Sequence, residues 1–379
     1  MRRPPPVMTP PTHPLVRWFL RPQPPAGEWR LRGVGSRARG RAKRAVLAGV
    51  AVVAVLVLGM NVVLDTARPE WHDPEIWHRI KQLRGETAAT GSHARPLVVA
   101  LGSSRSQMGF NPARMGFDDD PAGPRIYNLS QAGCGPVHEV VNLKRLLDAG
   151  ATPDYLLVEI LPPVLAGNGP VEKVFAPEKL GAADLPRVLP YCEHPRDLLA
   201  AWLAARVNPW YSLRISLMSH WGAGSTMPWQ WRTDFLWKQM KEHGWMPYFF
   251  TEIPPGQRKE GIDKASGQYV PYFADFRIAP LPDRAYRDLL ALCRARGIPV
   301  AFYVMPESPT FRGWYPPAAR ERIRSYYREL GVPVFDASDW IGDETMFADG
   351  HHLMRHGATA FSERFGRECV GPWIRNGGR

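Results

Sequence analysis

The segment "RPLVVALGSS" occupies residues 95–104 and predicts a buried strand that ends in a tight turn. Its apolar run, residues 96–101, is short, rich in valine, and stops at Gly-Ser-Ser. Because the run has no polar face, the strand is typical of a sheet covered by helices on both sides. The segment therefore indicates an α/β fold, and the same pattern recurs along the chain.

Four more segments predict strands, at residues 125–129, 155–161, 299–305 and 332–335. Several are separated by helical patterns that close on a glycine, such as "VHEVVNLKRLLDAG", "PDRAYRDLLALCRARG" and "PAARERIRSYYRELG". This alternation predicts a three-layer α/β/α sandwich with a central parallel sheet over residues 96–379. Ligands of such sheets bind beyond the carboxyl ends of the strands.

A long segment at about residues 165–280 interrupts the alternation of strands and helices. It contains many of the tryptophans, as in "SHWGAGSTMPWQWRTDFLWKQM". We interpret it as an insertion between the third and fourth strands. Its rings could pack a helical subdomain, or they could line a groove for a sugar or an acyl chain, and composition does not separate the two.

The N-terminal residues 1–44 form a basic, proline-rich tail that we expect to be disordered and cytoplasmic. This tail has eleven Lys or Arg residues and a single acidic residue, Glu28, so it accounts for +10 of the net charge of +12. The remaining chain is nearly neutral. The positive charge therefore does not indicate a nucleic-acid partner for the main domain.

Residues 45–65 predict a transmembrane helix. The run "AVLAGVAVVAVLVLGMNVVL", residues 45–64, carries no charge, and about 20 apolar residues match a hydrocarbon core of about 30 Å. The cluster "RARGRAKR" precedes it, and the positive-inside rule then places the later domain outside the cytoplasm. Residues 66–95 are interpreted as a juxtamembrane stalk, and the four cysteines could be bridged or free.

Polar residues at three predicted strand or helix ends could form one site. Ser104 follows the first strand, Asn128 lies at the end of the second with Gly133 after it, and Asp349 and His352 lie in "FADGHHLMRHGA". A serine at a strand-to-helix turn exposes its hydroxyl above the sheet. An Asp three residues before a His can orient one imidazole nitrogen while the other faces the serine.

These residues resemble the blocks of the SGNH, or GDSL, hydrolase superfamily, whose sandwich is flavodoxin-like. "LGSS" is similar to the first block, "YNLSQAGCG" to the second and "DGHHLMRHGA" to the last. The resemblance implies Ser104 as nucleophile, His352 as general base and Asp349 as its orienting acid. It also implies oxyanion donors in the N–H groups of Ser104 and Gly133, and requires no metal or cofactor.

Two features depart from the superfamily pattern. Ser103 stands where the secreted esterases have Asp, and Pro163 lies near the position of an oxyanion-hole Asn. With the membrane anchor, these departures resemble the branch that includes the D-alanyl transfer protein of teichoic-acid modification and the alginate O-acetylation proteins. That branch implies acyl-ester chemistry on a cell-envelope polymer, beside a membrane-bound O-acyltransferase partner.

Other interpretations remain open for the same residues. Ser104 could simply cap a helix, and His352 with His356 could bind zinc together with Asp349 or His351. Arg105 and Asn128 could contact substrate, although a salt bridge is the simpler role for Arg105. A non-catalytic envelope protein that binds glycan or a membrane partner is the alternative function.

Overall fold

The computed structural model describes residues 36–89, 95–167, 169–222, 227–228 and 231–379. The chain divides into two units, Met1–Leu56 and Val57–Arg379. Most of the predicted disordered tail lies outside the described residues. The prediction of disorder is wrong for the last part of this tail, because a helix begins at Ser36 and includes the basic cluster before the apolar run.

All five predicted strands are present in the second unit, and each end lies within two residues of the prediction. They are β1 (Leu97–Leu101), β2 (Arg125–Asn128), β3 (Tyr155–Glu159), β4 (Val300–Val304) and β5 (Val334–Asp336). The order in the sheet is β2-β1-β3-β4-β5 and every pair is parallel. The fold is therefore α/β with a five-stranded parallel sheet.

The longer helices connect and cover the strands. They are α1 (Ser36–Val62), α2 (Pro74–Ala89), α3 (Pro136–Asp148), α4 (Pro195–Val207), α5 (Arg214–Trp221), α6 (Pro255–Tyr269), α7 (Pro280–Ala295), α8 (Pro317–Glu329) and α9 (Arg355–Phe365). Short helices of four to six residues are Ser104–Gly109, Pro162–Leu165, Val171–Val174, Leu185–Val188, Pro209–Ser212, Phe235–Lys238, Pro309–Gly313 and Gly371–Arg375.

Alternate residues of each inner strand enter two different hydrophobic cores, because side chains of a strand point to opposite faces. Val99 of β1 packs in a cluster with residues of α3 and α7, whereas Val98 packs in a cluster with residues of α9. Both residues are fully buried. Helices therefore cover both faces of the sheet, as the apolar strands predicted.

The predicted juxtamembrane stalk is wrong for most of its length. Ile76, Ile80 and Leu83 of α2 are buried in the same core as β1, and Arg79 is fully buried beside them. The mixed polar sequence predicts a possible helix near "PEIWHRIKQL" but does not reveal its burial, because its apolar positions are few, although they fall on one face. Residues 74–89 are thus part of the α/β unit.

One helix in the described part of the chain, Arg37–Ala67, is long and apolar enough to span a membrane. Its valine and leucine side chains are largely exposed, as in Val53 and Leu56. A core helix of a soluble protein would bury them. The helix has the length and surface expected of the predicted anchor.

Candidate active site

The turn after β1 presents Ser104 at the carboxyl end of the sheet. Ser103 has extended backbone angles and its hydroxyl accepts a hydrogen bond from the Arg105 N–H at 3.2 Å, so Ser103 is the N-cap of the short helix. Ser104 is therefore the first residue of that helix. The helix-capping role that Ser104 could have had belongs to its neighbour.

A buried carboxylate from β3 holds this turn in place. Glu159 Oε2 accepts hydrogen bonds from Ser103 N–H at 2.7 Å, Ser103 Oγ at 3.0 Å and Ser106 Oγ at 2.6 Å. A Cβ atom on Gly102 would lie only 2.5 Å from the same oxygen, so the glycine makes this approach possible. Glu159 thereby joins the ends of two adjacent strands and positions the segment that carries Ser104.

The loop before α9 completes a hydrogen-bonded chain of three side chains. His352 Nε2 lies 2.8 Å from Ser104 Oγ, and His352 Nδ1 lies 2.8 Å from Asp349 Oδ2. The other carboxylate oxygen accepts from the His352 N–H at 3.0 Å, which fixes the loop. With the ring proton on Nδ1, Nε2 can accept the serine proton, which is the arrangement that activates a nucleophile.

Asp349 and His351 both lie beside His352, and the pKa of each is lowered for a different reason. Burial by itself would raise the pKa of Asp349, but the charge of His352 and its hydrogen bond outweigh burial, so the pKa is lowered and the carboxylate stays ionised. Burial lowers the pKa of His351 to about 3, with the charge of His352 acting in the same direction. His351 is thus neutral at ordinary pH.

A cavity of about 370 Å³ opens over Ser104. Gly133 lines it together with Ser104 and His352, so the second predicted block does reach the site. Gly133 has φ +73°, a backbone conformation that residues with a Cβ seldom adopt. The N–H of Ser104, at the first position of a helix, has no partner within that helix. Both predicted oxyanion donors therefore border one cavity.

The segment after β3 brings no amide side chain to this cavity. Pro162 and Pro163 begin a short helix, and the neighbouring Leu161 and Val164 line the wall. Neither proline has an N–H to donate. The wall at this side is apolar.

Arg105 and Asn128 do not face the cavity, which corrects their predicted contact with substrate. Arg105 is buried and donates from Nη2 to the carbonyl oxygen of Met305 at 2.8 Å, while Nη1 lies 3.4 Å from Glu307 Oε1. The simpler salt-bridge role is confirmed.

Asn128 is also buried, and it ties two loops together. Its side-chain amide donates to the carbonyl oxygens of Ser106 and Phe110 at 2.8 and 2.7 Å. Its side-chain oxygen accepts from the Ser130 N–H at 3.0 Å. Asn128 therefore links the short helix that begins at Ser104 to the turn that follows β2.

The side-chain positions test the alternative that His352 and His356 bind zinc together with Asp349 or His351. Among the described residues, Asp349, His351 and His352 form a group whose potential ligand atoms lie within 4.8 Å of one another. His356, which the alternative required, is not in this group. Asp349 and His352 already bond each other, and His352 bonds Ser104, so a metal would have to displace that chain.

The sequence missed one wall of the cavity, which α6 of the insertion provides. Gly261, Lys264, Ala265 and Gln268 of this helix line the cavity. A Cβ atom on Gly261 would lie 2.8 Å from Asp349 Cβ, so the helix approaches the loop closely. The signal in the sequence was the pair Gly261 and Ala265, small residues four apart on one helix face.

The insertion also contacts His352 from another side. The ring of Tyr248 lies 6.3 Å from the imidazole ring, and its carbonyl oxygen accepts from Arg355 Nε at 3.3 Å. Burial raises the pKa of Tyr248, so its hydroxyl stays protonated. The aromatic insertion therefore shapes the site, in addition to packing its own core.

All four cysteines are free, so the alternative of disulfide bridges is not realised in this structure.

In comparisons with known proteins, the chain matches no family model and no curated protein. The function is therefore argued from the geometry of the site.

Proposed function

We propose that this protein is a membrane-anchored serine esterase or O-acyltransferase of the SGNH type, with a three-layer α/β/α domain outside the cytoplasm. The observation that carries the proposal is the chain of two 2.8 Å contacts from Ser104 through His352 to Asp349. A Ser–His distance beyond about 5 Å would have favoured a binding protein, since proton transfer needs hydrogen-bond reach.

The mechanism has two steps. Ser104 Oγ attacks the ester carbonyl as its proton passes to His352 Nε2, and His352 then gives that proton to the leaving alkoxide, so acyl-Ser104 and an alcohol form. A second hydroxyl, from water or from an acceptor polymer, attacks the acyl group with His352 again as base. The returning proton restores Ser104.

Each supporting group has a separate part in these steps. Asp349 holds the ring proton on Nδ1 and stabilises the imidazolium that forms. The N–H groups of Ser104 and Gly133 stabilise the developing oxyanion. Because an oxyanion-hole donor is worth about 10²–10³ in rate, the proline at position 163 favours slow turnover with water.

The substrate that we propose is an acyl ester of a cell-envelope polysaccharide or another surface polymer, with a membrane-bound O-acyltransferase as a possible partner. Support comes from the apolar helix Arg37–Ala67 and from the cavity, which α6, including Tyr269, and the nearby Tyr272 of the aromatic insertion border. Flat rings and apolar walls suit sugars and short acyl chains.

The test is acylation of the full-length protein in detergent by p-nitrophenyl acetate, followed by intact mass. An acetyl adduct on the wild type that is absent from Ser104→Ala is expected. Ser325→Ala, a matched change on α8 where the hydroxyl bonds Glu329, keeps the adduct. A burst without steady turnover indicates a transferase, and steady turnover indicates an esterase. No adduct on any of the three proteins would favour the non-catalytic alternative.

A further inference from the structure

One face of the insertion is apolar and exposed. In α4 the charged residues Arg196 and Asp197 lie in the first turn, and Arg206 turns inward to Asp65. Apart from Pro195 at its start, the remaining exposed positions of this helix are Leu199, Ala200, Ala201, Leu203, Ala204 and Val207. A helix whose outer face meets water normally carries polar side chains there. The apolar outer face of α4 therefore favours contact with an apolar neighbour.

Aromatic residues extend this face beyond the end of α4. Trp210 and Tyr211 are 51% and 63% exposed, and Trp221 at the end of α5 is 62% exposed. The Arg214 guanidinium lies 4.0 Å from the centre of the Tyr211 ring. Tryptophan and tyrosine are enriched where a bilayer meets water, and arginine reaches from there to lipid headgroups.

These two helices and Leu213 before α5 contact the last turn of α1 and the turn that follows it. Asn61 Nδ2 donates to the carbonyl oxygen of Arg206 at 2.9 Å, and Leu64 packs against Leu213 and Leu217. If residues 45–64 span the hydrocarbon, Asn61 lies three residues before its end, about 4.5 Å along the helix axis. The end of α4 and the start of α5 therefore meet α1 at the depth of the membrane interface.

We propose that the α4–α5 face, formed by Leu199, Leu203, Val207, Trp210 and Trp221, lies in the interfacial layer of the phospholipid bilayer. The inference rests on the proposed anchoring by α1 but not on the chemistry of Ser104. Lipid is the occupant that the observations favour, because the face is apolar, bordered by tryptophan and tyrosine, and continuous with the helix that enters the membrane. Contact with lipid restricts rotation of the α/β unit on the membrane surface.

The experiment places a bimane fluorophore at single positions of the full chain in vesicles of phosphatidylcholine and phosphatidylglycerol. Cys192 and Cys369 are first replaced by serine, since the other two cysteines are buried. Labels at Leu203→Cys and, independently, Val207→Cys probe the face. Quenching by lipids brominated on their acyl chains is then measured.

Two reference positions make each outcome interpretable. Val53→Cys reports the anchor, and Arg328→Cys reports a position on α8 whose side chain is 68% exposed. We expect quenching at Leu203 and Val207 at least twofold greater than at Arg328. Quenching at Val53 but only the Arg328 level at both face positions would overturn the inference, and would indicate a protein partner instead. Loss of quenching at Val53 as well would refute the anchoring.

Discussion

Replacing Asp349 by asparagine tests whether the histidine is held in the tautomer that can act as a base. The side chain keeps its size, and its oxygen can still accept from the His352 N–H, as Asp349 Oδ1 does at 3.0 Å. The new NH2 group, however, faces His352 Nδ1, which must then accept. The ring proton moves to Nε2, which donates to Ser104 Oγ and can no longer take the serine proton.

The expected loss is large because no nearby group replaces the carboxylate. In serine enzymes of this design, the same change lowers the rate about 10⁴-fold, which corresponds to about 5.4 kcal/mol in activation free energy. His351 cannot substitute as a base, because burial lowers its pKa to about 3 and its Nδ1 lies 3.4 Å from the carbonyl oxygen of Asp349.

The assay is stopped-flow release of p-nitrophenolate in the first turnover of the full-length protein. Asp343→Asn is the matched control, since Asp343 is an exposed aspartate whose oxygen accepts from the Thr345 N–H in a neighbouring turn. The control should acylate at the wild-type rate. An acylation rate of Asp349→Asn within about tenfold of wild type, with an unchanged circular dichroism spectrum, would refute the proposed role of the carboxylate.

Three further predictions concern the support of the site and its response to acid. Glu159→Gln replaces a charged acceptor by a weaker amide oxygen and puts an NH2 group where Oε1 lies 3.9 Å from Arg105 Nε, so we expect the free energy of unfolding in urea to fall by about 1–3 kcal/mol, with slower acylation; unchanged values for both would contradict the positioning role. Gly133→Ala strains a backbone at φ +73° and displaces the N–H that we propose as an oxyanion donor, so acylation should fall about 10²-fold. Gly150→Ala, at φ +81° beyond the end of α3, should cost stability alone, and equal acylation in both variants would exclude the oxyanion role. Because the pKa of His351 is about 3 when folded and 6.5 ordinarily, the unfolded chain binds more protons between these values and the free energy of unfolding falls as pH falls. His351→Gln should reduce that slope in urea titrations from pH 6.5 to 3, whereas an unchanged slope would show that His351 does not contribute.

The strands of this fold could be predicted because they are local patterns. Each is a short apolar run that ends in turn residues, and burial on both faces forces such a run to be apolar throughout. The membrane-length helix was predictable for a similar reason, since an uninterrupted run of about 20 apolar residues has few other solutions. Ser104, Asp349 and His352 could be predicted because a serine at a strand-to-helix turn and an Asp three residues before a His are local features, and because these segments resemble the first and last blocks of the SGNH superfamily.

The sequence failed where a residue's role depends on partners distant in the chain. The polar α2 was taken for a stalk because only the folded sheet reveals what Ile76 and Ile80 pack against. Arg105 follows the end of β1 and Asn128 is the last residue of β2, which are positions typical of substrate-contacting residues, yet both turn into the protein and bond carbonyl oxygens of other segments.

The sequence by itself determined the class of fold, the apolar helix and the three polar residues of the proposed triad. Only the tertiary structure decided that Glu159 supports the serine turn, that α6 forms a wall of the cavity, and that α4 presents an apolar face beside the end of α1. The physical reason is range. Strand and helix patterns arise from neighbours along the chain, whereas cavities, buried hydrogen bonds and exposed faces arise from segments that only folding brings together.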